Sequence, residues 1–156
     1  MRKLYHGTLT RNIEKIREEG LQPRPGSVTT AYYEDAAEIV CAADENHKGC
    51  LTRIIIQQMV NARLIRWSSD YALEDFKRDL IEHVTIVVVS VDHFSCCSDM
   101  PKCPKGVETG DWYSCDPVLI QAEMTGQMML DWLPLSETNF THDYRKLLRR
   151  LMIDAS

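Results

Sequence analysis

Several features that would place a protein in a membrane, a secretory pathway or a nucleic-acid complex are missing from this sequence. No apolar run approaches the roughly 18 residues that a membrane-spanning helix needs. No signal-peptide core opens the chain, so we expect a cytoplasmic protein without a membrane partner. An excess of basic charge is also absent, since the formal net charge is −5. That balance argues against an unaided nucleic-acid binder.

Paired metal-binding cysteines are missing too, although the chain has six cysteines. Four of them, Cys96, Cys97, Cys103 and Cys115, share one segment with His93, but none forms the Cys-x₂-Cys pair of strong zinc motifs. A zinc site and free thiols both stay open for this segment. Free thiols fit a reducing cytoplasm better, and we therefore assign no metal.

What the sequence does contain is a pattern of alternating elements that predicts an α+β fold. We expect strands at 2–6, 27–30, 51–56, 62–67, 84–91, 118–124 and 127–133. We expect helices at 12–19, 34–43, 70–82 and 141–153, with Thr10 and Asp70 as N-caps and Gly20 as a C-terminal stop. Residues 92–116 are expected to form a long loop. The β-branched run 84–91 is typical of a central strand covered on both faces.

No internal repeat, low-complexity linker or second domain interrupts the 156 residues. A chain of this length is sufficient for one domain with a real core. We therefore predict a single domain over residues 1–156.

Three segments carry side chains suited to chemistry. The first strand ends in His6, Gly7 and Thr8, where a glycine would let a ligand approach the backbone closely. The second segment is "SVTTAYY", residues 27–33. The third, "IQAEMTGQMMLDWL", places Glu123 late in a predicted strand. A fixed carboxylate in a dry cleft would stabilise positive charge that develops on a sugar, and it could also deprotonate a nucleophile.

This ordered set, together with "EEGLQP" after the first helix, resembles the ADP-ribosyltransferase superfamily over about residues 3–135. The "QAE" context and the downstream "MMLDWL" look like the DNA-targeting ADP-ribosyltransferase toxins of toxin–antitoxin pairs, and RNA 2′-phosphotransferases share the fold. The resemblance implies a compact split β-sheet core over about residues 1–135, flanked by helices and followed by a C-terminal helix at about 141–153. It implies NAD as cofactor and transfer of ADP-ribose to a macromolecular acceptor, protein or nucleic acid, with release of nicotinamide.

The resemblance also implies roles for individual residues. Glu123 and His6 would be catalytic: His6 would hydrogen-bond a ribose hydroxyl, and Glu123 would accept a hydrogen bond from the ribose 2′-hydroxyl. The implied cofactor-binding residues are His6, Gly7, Thr8, Thr29, Tyr32 and Tyr33. Either tyrosine would stack on nicotinamide. The implied acceptor contacts are Gln121, Trp112 and Tyr113.

The second segment departs from the histidine-first members of this superfamily. Those members often carry a tyrosine or histidine in the second strand, where this chain offers Val28 or Thr29. Ser27 to Thr29 instead resembles the Ser-x-Ser/Thr element of the arginine-first members. The subclass is therefore mixed, and the resemblance leaves the parts played by Tyr32 and Tyr33 open.

Each of these residues also has a structural interpretation. His6 could simply be hydrogen-bonded at a strand end, and an arginine such as Arg53 could pair with Glu123. Trp112 and Tyr113 could cover the end of the sheet.

Two other functions stay open beside ADP-ribosyl transfer. An RNA 2′-phosphotransferase would need basic residues in its cleft, for which Arg2, Lys3, Arg11 and Arg24 are available. A catalytically silent module would bind a nucleotide or a partner protein. The basic residues of the last helix form either a solvated face or a surface for an acidic partner; they are Arg145, Lys146, Arg149 and Arg150.

Overall fold

The computed structural model describes residues 2–25, 37–98, 103–104 and 111–155. The predicted strand at 27–30 and the residues Thr29, Tyr32 and Tyr33 lie outside these ranges. The α+β class is confirmed, because helices and strands are mixed along the chain. In the described residues, no helix has the length and apolar character that crossing a membrane requires.

Seven strands are present in the described residues. They are β1 (Lys3–Leu9), β2 (Arg24–Pro25), β3 (Glu38–Ala42), β4 (Val84–Ser90), β5 (Ser95–Cys96), β6 (Trp112–Ser114) and β7 (Ala122–Met124). One sheet has the order β1-β4-β7, and a second, antiparallel sheet has the order β2-β3-β6-β5. All seven residues of β4 are buried, as its continuous β-branched run predicts.

Six helices accompany the strands in the same residues. They are α1 (Ile13–Glu19), α2 (Lys48–Asn61), α3 (Leu73–His83), α4 (Gly126–Trp132), α5 (Glu137–Asn139) and α6 (Arg145–Ala155). A π-helical turn, Phe140–Tyr144, separates α5 from α6. Residues 137–155 are therefore helical throughout, which confirms the last predicted helix.

The chain folds into two compact units, each built from three separate segments. Unit 1 comprises Met1–His6, Glu14–Asn46 and Val87–Glu123, and unit 2 comprises Gly7–Ile13, His47–Ile86 and Met124–Ser156. The described part of unit 1 holds the antiparallel sheet and a small core around Ile39 and Cys97. Unit 2 holds most of the helices and a cluster of aromatic rings, among them Tyr71, Phe76, Phe140 and Tyr144.

Three predicted elements have the wrong type. Residues 51–56, predicted as a strand, belong to α2, and residues 127–133, also predicted as a strand, form α4. The predicted helix at 34–43 is replaced in its described part by β3, because Ile39 and Val40 are buried and β3 pairs with β6. Tertiary pairing decided the conformation here against the helix propensity of the alanines.

Other boundaries also differ from the prediction. No strand forms at 62–67, where α2 ends and Arg63 takes a left-handed φ of 58°. The predicted strand at 118–124 is reduced to β7, with Val118 joined to Leu21 by an isolated bridge. The expected loop at 92–116 contains β5 and β6.

The ends of the helices agree with the prediction at one position and differ at two. Gly20, with φ +78°, ends α1 as predicted, and a Cβ there would lie 2.6 Å from the Val118 carbonyl oxygen. The two predicted N-caps are wrong: the Thr10 hydroxyl bonds the Thr85 hydroxyl, and Ala72 rather than Asp70 precedes α3. Ala72 N–H donates instead to the Asp75 carboxylate at 2.8 Å.

Candidate active site

His6 lies in unit 1 on β1, next to an isolated bridge between this strand and Ala43. Tyr5 and Ala43 exchange two backbone hydrogen bonds of 2.8 Å and form an isolated antiparallel bridge. At the next residue of β1, the contact is made by a side chain: His6 Nδ1 lies 2.6 Å from the Cys41 carbonyl oxygen. A side-chain bond thus joins β1 to β3 next to the bridge between Tyr5 and Ala43.

The Cys41 bond fixes the protonation state of His6. A carbonyl oxygen only accepts hydrogen bonds, so Nδ1 must carry the proton that it donates. Burial lowers the pKa of His6 from its ordinary value of 6.5, and the bond to Cys41 offsets only part of that effect. The imidazole is therefore neutral near pH 7, and Nε2 presents a lone pair. Among the described residues, Nε2 has no hydrogen-bond partner.

Glu123 lies on β7, as predicted, and is bound by an arginine that the sequence did not indicate. Arg17 of α1 donates two hydrogen bonds to its carboxylate, from Nε to Oε2 at 2.6 Å and from Nη2 to Oε1 at 2.7 Å. This pairing lowers the pKa of Glu123 below its ordinary value of 4.5, chiefly through the hydrogen bonds. Glu123 is therefore ionised throughout the neutral range.

The structural alternative for Glu123 named the wrong arginine. Arg53 pairs with Asp143 in unit 2 and not with Glu123. The true partner, Arg17, is separated from Glu123 by 106 residues, and no local pattern marks it. Only the prediction that a strand-borne carboxylate requires a cation nearby could have pointed to such a pair.

The sheet order relates His6 to Glu123. Their strands, β1 and β7, flank β4, so one strand separates them. At the usual strand spacing, the axes of β1 and β7 lie about 10 Å apart. No hydrogen bond or ion pair joins the two side chains among the described residues.

A cavity of about 380 Å³ in unit 1 is lined by Arg2, Lys3, Tyr5, Asp44, Glu45 and Asn46. Neither His6 nor Glu123 is in this lining, so their shared cleft stays a prediction.

Gly7 and Thr8, both assigned to cofactor binding, are buried in unit 2. A Cβ on Gly7 would lie 2.5 Å from Cγ1 of Ile55, so α2 packing alone requires a glycine here. The Gly7 carbonyl accepts a hydrogen bond of 3.3 Å from Gln58 Nε2. The glycine therefore has a packing reason, whether or not a ligand contacts its backbone.

The implied acceptor residues occupy different settings. Gln121 is exposed, and its backbone N–H donates to the Val88 carbonyl at 2.8 Å. Trp112 and Tyr113 lie on β6 and not on a loop. The Arg2 guanidinium lies 5.1 Å from the centre of the Trp112 ring, and Tyr113 packs against the Ile39 core. Both aromatic rings are half-buried parts of the sheet, which favours their structural interpretation.

The cysteine segment contains a pair that the sequence did not predict. Cys97 and Cys103 are joined as a disulfide, with Cα atoms 5.5 Å apart. The expectation of free thiols is wrong for these two residues, whereas Cys41, Cys50, Cys96 and Cys115 are not disulfide-bonded. The described residues contain no group of His, Cys, Asp and Glu side chains that could hold a metal ion.

Comparison with known proteins adds no relative. Neither protein-family models, nor curated proteins, nor solved structures gave a match to this chain.

Proposed function

We propose that the chain is an NAD-dependent mono-ADP-ribosyltransferase with His6 and Glu123 as its catalytic residues. The observation that carries the proposal is a pair of groups in unit 1 with complementary chemistry. A neutral imidazole with an available lone pair lies on β1, and an ionised carboxylate lies on β7, with only β4 between the strands. Both groups accept hydrogen bonds, and the hydroxyls of a ribose donate them.

Bound NAD would supply an N-glycosidic bond, whose electron pair would leave with nicotinamide while the acceptor would bond to the sugar carbon and release a proton. Glu123 accepts a hydrogen bond from a ribose hydroxyl, through lone pairs that the two Arg17 contacts leave available. Its fixed negative charge favours the positive charge that develops on the sugar. His6 Nε2 accepts a hydrogen bond from a second hydroxyl and thereby orients the ribose.

Arg17 has two opposite effects on Glu123. Its bidentate contact orients the carboxylate and keeps it ionised, but its positive charge weakens the field at the sugar. A carboxylate with a lowered pKa is also a weak base. We therefore assign Glu123 to charge stabilisation and assign the released proton to water.

The test measures nicotinamide release from labelled NAD by three forms of the protein. We expect Glu123→Gln to lower the rate at least about 100-fold, because the charge is lost and the shape is kept. Glu18→Gln is the matched control, since Glu18 is an exposed carboxylate next to Arg17 in sequence. Equal rates in Glu123→Gln and the control would exclude the catalytic assignment.

A second candidate is RNA 2′-phosphotransfer, which one observation favours. Arg2 and Lys3, two of the basic residues that this chemistry would use, line the cavity in unit 1. Asp44 and Glu45 share that lining, and Asp44 already binds Arg2 at 3.3 Å, so the cavity is not a purely basic phosphate site. Removal of the phosphate from a 2′-phosphorylated RNA would favour this function. NAD binding without turnover would favour a silent module.

A further inference from the structure

The outer side of α6 carries three exposed basic side chains with no acidic partner among the described side chains. Lys146, Arg149 and Arg150 are all exposed and take part in none of the ion pairs of the described residues. Residues three and four apart lie on one side of a helix, so Arg149 and Arg150 both neighbour Lys146. We call these three residues the α6 basic face.

The opposite side of α6 is used for packing. Leu148 is fully buried, and Tyr144, one residue before the helix, is 2% exposed. The hydrophobic stripe is therefore occupied by the core of unit 2, and the helix cannot insert it into a lipid surface without unfolding. The basic face is the side of α6 that stays available to a partner.

The three cations of the α6 basic face repel one another in the folded chain. Like charges three and four residues apart destabilise a helix. Favourable interaction with the helix dipole needs cations in the last turn, but α6 continues to Ala155, beyond all three residues. Basic residues elsewhere in unit 2 are paired with carboxylates of their own helix: on α3, Lys77 pairs with Glu74 and Arg78 with Asp75.

The charge of unit 2 as a whole agrees with an anionic partner. Eleven of the chain's 18 Lys and Arg residues lie in unit 2, with only nine of its 23 Asp and Glu residues. The net charge of −5 thus comes entirely from unit 1. The negative net charge of the whole chain therefore does not exclude nucleic acid as a partner of unit 2.

We infer that the α6 basic face binds the phosphates of a nucleic-acid strand. Lys146 and Arg150 are one helical turn apart, which spaces their Cα atoms by about 6 Å along the axis. Arginine and lysine in such a row suit the regularly repeated charges of a phosphate backbone. If the proposed transferase function holds, nucleic acid is the class of acceptor. Only this choice of acceptor rests on the proposed function; phosphate binding by the α6 basic face does not.

The test is fluorescence anisotropy with a labelled single-stranded RNA and a DNA of the same sequence, over a series of salt concentrations and without NAD. We expect the full chain to bind, and Lys146→Gln/Arg149→Gln/Arg150→Gln to weaken binding at least about tenfold. The slope of log K against log salt should fall by about 2, as expected when three phosphate contacts are lost.

The matched control is Arg66→Gln/Lys77→Gln/Arg78→Gln, which removes the same charge from ion-paired positions of unit 2. It should bind the strand about as tightly as the unmodified chain. A conservative variant, Lys146→Arg/Arg149→Lys/Arg150→Lys, should retain binding and verifies that charge is the cause.

Several outcomes would overturn the inference. These are no binding of either strand at low salt, equal loss in the control triple, or tighter binding of a polyglutamate peptide or an anionic vesicle than of the strands. Binding without any ADP-ribosylation of the strand would leave the basic face established and would exclude only the assignment of nucleic acid as the acceptor.

Discussion

His6 shows how one backbone carbonyl sets the chemistry of a side chain. Because Cys41 O accepts from Nδ1, we expect NMR of ¹⁵N-labelled protein to show the Nδ1–H tautomer at pH 7. Burial should also move the titration midpoint of His6 below 6.5. An Nε2–H tautomer, or a midpoint of 6.5 or above, would contradict this description of the site.

A second residue-scale prediction concerns the buried carboxylate of Asp79 in unit 2. Asp79 is fully buried, its Oδ2 accepts from the Tyr71 hydroxyl at 2.7 Å, and its Oδ1 has no described partner. Tyr71→Phe removes this bond, while the Arg66 backbone N–H still donates to Oδ2 at 3.3 Å. We expect the free energy of unfolding to fall by about 2 kcal/mol, the range for hydrogen bonds to charged groups.

Urea denaturation measures this loss, and Tyr113→Phe is the control. Tyr113 is a half-buried tyrosine, and its hydroxyl has no hydrogen-bond partner among the described residues, so Tyr113→Phe should change stability little. Equal effects of the two substitutions would mean that the Tyr71–Asp79 bond contributes nothing.

At the scale of elements, the contact of β1 with α2 explains Gly7 without a ligand. A Cβ there would meet Ile55 Cγ1 at 2.5 Å and Cδ1 at 2.8 Å. We therefore expect Gly7→Ala to destabilise the protein by about 1–3 kcal/mol through overpacking. Thermal unfolding checks this, and adding Ile55→Ala should recover part of the loss, because the two positions are in contact.

Gly49 provides the matched control for Gly7. It lies in α2, and nothing is within 4 Å of a Cβ built on it. Gly49→Ala should leave the stability unchanged or raise it by up to about 1 kcal/mol, as alanine is the better helix former. If Gly7→Ala is equally well tolerated, the packing explanation is wrong and a ligand role for Gly7 gains weight.

The elements also show where sequence patterns were sufficient. The strand at 84–91 and the helix at 70–82 were predicted with the correct type, because each side-chain pattern allowed only one kind of element. In α2 the β-branched isoleucines suggested a strand, although burial at Leu51, Thr52, Ile55, Ile56, Met59 and Val60 follows a helical period. Reading the window as far as Val60 would have corrected the prediction.

The candidate site was predictable only in part, for a different reason. The positions of His6 and Glu123 on strands followed from local pattern. Their partners did not, because Cys41 contributes a backbone oxygen and Arg17 is distant in sequence. Long-range partners of polar side chains depend on tertiary packing, which single-sequence patterns do not encode.

For the whole molecule, the shifted groups together predict how stability varies with pH. The pKa values of His6, Glu123 and Asp75 are lowered from 6.5, 4.5 and 3.8. The unfolded chain therefore takes up protons at a higher pH than the folded one, and acid favours unfolding. We expect stability to decline first below about pH 6.5, through His6, and more steeply below about pH 4.5, through the carboxylates.

The loss of stability at high pH has a different cause, because there the folded state raises pKa values instead of lowering them. Burial is the main cause that raises the pKa of Tyr5, Tyr71 and Tyr144 above 10.0. The unfolded chain then loses its tyrosine protons first, so stability should fall above about pH 10. Urea denaturation across the pH range should thus show a plateau of stability from about pH 7 to 9.5.

Two variants test these causes. Tyr71→Phe should reduce the loss of stability at high pH, and His6→Gln should reduce the first loss on acidification. A stability maximum near pH 5, or limbs unchanged in both variants, would show that these groups do not control the pH dependence.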